Sequence, residues 1–283
     1  MNIPRDGHHM SWKLHREVVL LLGWGRAILL QIAHPLVAQG VADHSGFLAE
    51  TRGRWRRLHR TLGAMLALTF GTEEDGVGIA RRINAIHDRV NGRLARACGV
   101  FPEGAAYTAK DPRLLTWVHA TLLDSFLLTY ELYVGPLRPE EKDRYCAEAS
   151  EIEPMLEIPA GALPRSTGEL ARYLDAMLGS GEIAVSDTAR LLARGIVTPP
   201  VPFPARPFLG VARLPTVGLL PPAVREAYGF GWDPRRAAAL RLSGTLVRHL
   251  LPLTPSVLRH WPAARAALRR QRAPTGRSPS RTG

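Results

Sequence analysis

The chain has 283 residues, 46% of them hydrophobic and 22% charged, a globular balance with room for one large domain or two small ones. Its net charge of +12 would suit a nucleic-acid partner, but only three of the 37 basic residues are lysine and the arginines run through every segment; a GC-rich coding bias explains that more simply. Cys98 and Cys146 are the only cysteines, which excludes a disulfide framework or a Cys-x-x-Cys site and fits a reducing compartment or an indifferent one; a cytoplasmic setting is expected.

In chain order the pattern is helical almost throughout, so the predicted fold class is all-α. Residues 12 to 33 read as one long, mostly buried helix that ends at His34-Pro35. Val18 to Ala38 is nearly apolar, yet Arg26, Gln31 and His34 interrupt it and Pro35 falls inside it, which favours a core helix over a membrane span or a leader; peripheral membrane contact through this face stays open. Gly23 and Gly25 mark a close packing point rather than a phosphate cradle. A second helix covers 54 to 70, with Gly71 just past its end. Glu73, Glu74 and Asp75 place negative charge at the start of a third, whose stripe of Ile79, Ile83, Ile86, His87, Val90 and Leu94 predicts a helix as far as Gly99.

Asp111-Pro112 is an N-cap followed by proline at the first helical position, and starts a long apolar helix to about Tyr133. Further helices are predicted over 139 to 156, 169 to 178 and 187 to 194. The eight prolines between 198 and 222 predict an extended wrapping loop with brief helical turns. Asp233-Pro234 opens a last long helix to about Leu251, and a short basic helix covers 263 to 270. With no linker before the C-terminal end, residues 1–270 read as one domain and 271–283 as a disordered basic tail.

Three residues on the second helix and one on the third carry the chemistry. Arg57, Arg60 and Thr61, at i, i+3 and i+4, share one helical face; on spacing alone a solvated basic face is the simpler reading. His87 stands at a position of the core stripe where an aliphatic residue is expected. A neutral imidazole there can bind a metal through one ring nitrogen, although a satisfied core histidine is commoner. Asn91 and Gly92, one turn on, would let a flat ring approach closely. His34 is expected to cap a helix end, and His119 to be a buried polar group with a partner among Thr121, Asp124 and Ser125. There is no His-Glu-x-x-His, zinc spacing, Glu-x-x-His pair, Gly-x-Ser-x-Gly elbow, P-loop or Gly-x-Gly-x-x-Gly.

The segments LLGWGRAILLQIAHPLVAQGVADHS (21–45), RLHRT (57–61), TFG (69–71), HDRVNG (87–92), YTAKDPRLLTWVHATLLDS (107–125), LPRS (163–166) and LLPPAVREAYGFGW (219–232) together resemble one family. It is the domain shared by the rubber oxygenase (latex clearing protein) and the mycophenolic-acid-pathway oxygenase. The likeness extends over roughly residues 12 to 262.

This resemblance implies a single large helical bundle, globin-like in spirit, around a b-type haem, with His87 as the iron ligand. Asn91 is a further candidate for cofactor contact. The rubber enzyme's Arg-x-x-Lys-Thr motif falls on Arg57, Arg60 and Thr61, which become the candidate catalytic residues; Arg57 is also a candidate partner of a haem propionate. Arginine stands where that motif has lysine, and a guanidinium is a very poor metal ligand. The resemblance therefore implies an open or water-filled position beside Arg60, and rubber itself does not carry over as the substrate. Asp43 and Glu50 are candidates for an acidic partner.

The expected function is a haem b-dependent oxygenase that uses O2 on an apolar, isoprenoid- or lipid-like small molecule or polymer, cleaving a C=C bond. The alternative is a non-catalytic helical protein that holds haem or lipid. No nucleic-acid partner and no transmembrane span are expected.

Overall fold

The long N-terminal helix expected from the sequence is broken. In this computed structural model, which describes residues 9–46, 51–198 and 206–272 (without the side chains of 51–58, 206–209, 211 and 272), α1 covers Met10–His15, a 3-10 turn covers Val18–Leu20, and α2 runs from Leu21 to Ile32. At the break Glu17 is extended (φ −77°, ψ 115°) and fully buried. Its carboxylate accepts from Arg259 Nε at 2.7 Å and Nη2 at 2.9 Å, and lies 3.3 Å from His260 Nε2. The C-terminal segment thus docks where the helix opens, and a buried carboxylate needs such partners.

His34 ends the next step of the chain. It is extended, its Nδ1 accepts from the Leu36 N–H, and α3 (Pro35–His44) departs with Pro35 at its first position. The cap therefore serves an amide at a helix start. α4 (Thr51–Phe70) is followed by Gly71, and α5 (Glu73–His87) begins with a reciprocal Thr72–Asp75 capping box.

The third predicted helix stops at His87 rather than at Gly99. The chain turns through Asp88 and Arg89, and β1 (Asn91–Arg93) pairs antiparallel with β2 (Ala106–Thr108), Gly92 facing Tyr107. A Cβ at Gly92 would collide with the Tyr107 ring. The glycine thus serves the hairpin, not a flat ring.

Asp111 accepts from the Arg113 N–H at 2.8 Å and starts α6 (Pro112–Tyr133) as expected. α7 (Pro139–Ser150) is shorter than predicted and gives way to a 3-10 turn at Glu153–Met155. α8 (Thr167–Gly179) and α9 (Asp187–Val197) have serine caps, Ser166 and Ser186. The proline-rich stretch contains a helix, α10 (Arg206–Gly218), with Pro215 inside it; residues 199–205 lie outside the described set. α10 survives its proline because it packs on α2, where Thr216 sits against Gly25; tertiary burial overrides propensity. α11 (Pro222–Ala227), α12 (Pro234–Leu250, capped by Asp233), α13 (Ser256–Arg259) and α14 (Pro262–Arg272) complete the chain. Gln271 and Arg272 thus belong to α14, and the expected tail from 273 on lies outside the described residues.

The centre is α2 laid along α6. Gly23 and Gly25 allow the approach: a Cβ at Gly23 would meet Thr129 Oγ1 and come within 3.0 Å of the Ser125 carbonyl oxygen. The hydroxyls that α6 buries donate back to its own carbonyls, Ser125 to Thr121 and Thr129 to Ser125, both at 2.6 Å. Arg26, 3% exposed, lies 2.6 Å from Asp124 and donates to Ser125 Oγ (2.7 Å) and to the Leu219 carbonyl (2.6 Å). Among the described residues no single helix is long and apolar enough to cross a membrane. Much of the apolar stretch over 18–38 is buried, including Leu29, Leu30, Ile32, Ala33 and Ala38, so the face considered for membrane contact is core.

Candidate functional site

A cavity of about 590 Å³ opens beside this core, within the range of ligand pockets, roughly 300–1,000 Å³. Three helices each give it one face. From α6 come Leu115, Val118, His119, Leu122 and Phe126, spaced i, i+3, i+4, i+7 and i+11. From α4 come Arg60, Thr61, Ala64, Met65 and Leu68, and from α5 Ile83, Ile86 and His87. α1, α3, α7, β2, Gln31 of α2 and the segment around Met155 also contribute to the wall, which is mainly apolar.

His87 is the last residue of α5. Two anchors fix that helix end: Asn84, one turn earlier, donates to the Met155 carbonyl at 3.0 Å, and Lys110 lies 2.8 Å from both Asp88 and Glu157. Burial lowers the His87 pKa, with Asp88 and Glu157 pulling upward and Lys110 downward. His119 is pushed down to about 4 by burial, and a charge on His87 would lower it further. Neither imidazole makes a hydrogen bond or ion pair with the described residues. The local partners expected for His119 are engaged elsewhere: Thr121 with the Trp117 and Val118 carbonyls, Asp124 and Ser125 with Arg26. His119 is thus a cavity residue that the sequence reading set aside, although its place in the Leu115–Val118–Leu122–Phe126 stripe could have found it.

The other histidines on the wall are occupied. His15, also held near 4 by burial, has Nδ1 3.0 Å from Thr69 Oγ1 and Nε2 2.8 Å from Tyr145 Oη. His44 Nε2 is 3.0 Å from the Asn91 carbonyl oxygen.

Arg60 and Thr61 border the same cavity as His87; both are exposed, so they stand on its solvent side. The Arg57 side chain and Glu50 lie outside the described residues; Arg57 itself is on α4, one turn before Arg60. Asn91 is exposed on β1 and is not part of the cavity wall. Asp43 accepts from Tyr107 Oη at 2.6 Å and from Gln39 Nε2 at 2.9 Å, and is likewise outside the wall.

The donor set decides what such a cavity can hold. Among the described residues no three His, Cys, Asp or Glu side chains gather to bind a bare metal ion. A neutral imidazole on an apolar wall suits instead a metal that arrives with its remaining ligands in a flat organic chelate, needing one nitrogen from the protein. The residues present fit that class of group.

The family described as "ER-bound oxygenase mpaB/B'/Rubber oxygenase, catalytic domain" matches residues 12–249. The uncharacterized proteins Rv2237 of Mycobacterium tuberculosis and Mb2261 of Mycobacterium bovis are each 27% identical over 232 residues, covering 78% of this chain and 88% of theirs. No solved structure matches the chain.

Proposed function

The chain belongs to the family of the ER-bound oxygenase mpaB/B' and rubber oxygenase catalytic domain, and on that premise we propose that it is a haem b-dependent oxygenase cleaving a carbon–carbon double bond of an apolar, isoprenoid- or lipid-like substrate. What carries the reading is one observation: His87, an imidazole with no partner among the described residues, and the Arg60–Thr61 pair border a single mainly apolar cavity.

When bound, haem b would supply the dioxygen activation. His87 would hold its iron, and the lowered pKa keeps the ring nitrogen lone pair available at neutral pH. Arg60 would act as a hydrogen-bond donor rather than a ligand, because a guanidinium is a very poor metal ligand. Thr61 adds an O–H donor. Arg57 would serve as a further donor or hold a propionate through its two-pronged guanidinium. The Leu115–Leu122–Phe126 wall would take the hydrocarbon. Asn91, exposed on its strand, has no part in this reading.

The test is reconstitution with haemin followed by oxygen uptake with squalene, dispersed in detergent, as a short polyisoprenoid. A Soret band in the wild type and squalene-dependent uptake with carbonyl products are expected. Absence of the band would overturn the haem assignment. A band without uptake would leave the non-catalytic haem carrier as the better account.

A further inference from the structure

α12 carries two apolar stripes, and only one belongs to the core. The inner stripe, with Leu240 and Gly244 buried, packs on α6 and α10; a Cβ at Gly244 would meet Leu132. The outer stripe consists of Leu242, Leu246 and Leu250, at i, i+4 and i+8, and the segment just past the helix end exposes Leu253, Val257 and Leu258 as well. These six side chains are between 51% and 79% exposed. Single exposed leucines are ordinary on a protein surface, but six large apolar side chains exposed within residues 242–258 are not.

From Pro234 onward the chain itself contributes charge of one sign. All 25 acidic residues of the chain precede Pro234, whereas eleven of the arginines follow it. A coding bias selects arginine over lysine but does not remove acids. Arg235 lies two helical turns before Leu242 and therefore on the stripe's own face, while Arg241 and Arg248 run along its flank. Arg235 and Arg241 have no ion-pair partner among the described residues. Among the described residues Arg248 donates to the Glu131 and Leu132 carbonyls. The nearest acid along the chain, Asp233, is taken by Arg236.

We propose that the outer face of α12, continued through Leu253 to α13, docks on an anionic lipid bilayer. The leucines would enter the acyl boundary and the guanidiniums would meet lipid phosphates. Like charge argues against a second copy of the chain as occupant, since pairing these faces would bring arginines together. The segment 273–283 has no apolar side chain larger than proline and cannot cover leucines. The inference is independent of the haem reading, because it concerns a different surface and needs no prosthetic group.

The experiment is flotation of the purified full chain with vesicles of phosphatidylcholine alone or mixed with phosphatidylglycerol, at low and high salt. Binding to the mixed vesicles, weakened by salt, is expected. Leu246→Ser/Leu253→Ser/Leu258→Ser should lower partitioning about tenfold or more while leaving the melting temperature unchanged. Arg235→Gln/Arg241→Gln should remove the preference for the anionic lipid, about fivefold per arginine. Circular dichroism checks each variant, and Leu253→Ser alone carries the comparison if the triple variant does not fold. Failure of the wild type to float with the mixed vesicles would overturn the proposal. So would undiminished flotation of the leucine variants, or light scattering that finds a leucine-dependent dimer in place of vesicle binding.

Discussion

The α2–α6 core and the adjoining cavity both bury polar side chains among leucines, and they treat them oppositely. In the core, Arg26 is held by Asp124, Ser125 and the Leu219 carbonyl, Glu17 by Arg259 and His260, and the Tyr228 hydroxyl by the Leu29 carbonyl. On the cavity wall, His87 and His119 have no such partner among the described residues. Buried polar groups are ordinarily satisfied. The contrast separates residues whose partner is the fold from residues whose partner is brought from outside.

The largest test of that separation is Arg26→Ala. It would leave the partly exposed Asp124, the buried Ser125 hydroxyl and the Leu219 carbonyl without their donor and should cost about 2–3 kcal/mol of stability in denaturant unfolding; a loss below about 1 kcal/mol would break the comparison. Gly23→Ala should follow at about 1–3 kcal/mol, because the new Cβ meets Thr129 and backbone that cannot yield.

The cavity should behave differently. His15, His34 and His119 are all held near pH 4 in the folded chain by burial, against an ordinary value of 6.5. As pH falls from 6.5 toward 4, the unfolded chain takes up protons that the native state refuses, so stability drops through that window and levels off below it. His119→Leu removes one share of the drop: melting curves should show little change at pH 7 and a gain of about 1–2 kcal/mol near pH 4. An equal loss at both pH values would make His119 an ordinary core residue. The smallest effect on folding is expected for His87→Ala, within about 1 kcal/mol of wild type, since no described residue bonds its ring nitrogens.

How much of this the sequence disclosed follows the range of the interactions. Local chemistry was legible: the Asp111-Pro112 and Asp233-Pro234 helix starts, the break at His34-Pro35, and the glycine pair at 23 and 25. Features set by distant partners were not. Glu17 opens the first helix because Arg259 waits for it more than two hundred residues away. The third helix stops at His87 because residues 91–93 find a strand partner at 106–108. α10 forms in spite of Pro215 because α2 receives it. In the candidate site, the apolar stripe pointed to His87, and the i, i+3, i+4 spacing grouped Arg60 and Thr61 on the neighbouring helix. His119 passed as a structural residue because hydroxyl and carboxylate groups nearby in sequence looked like partners, and the core had claimed them.

The central claim, that His87 is the imidazole which binds the iron, is tested most directly by haemin titration of wild type, His87→Ala and His119→Ala, followed through the Soret band. The account predicts a saturable band in wild type and His119→Ala, none retained after desalting in His87→Ala, and return of the band when free imidazole is added to that variant. A His87→Ala protein that keeps the wild-type band would contradict it.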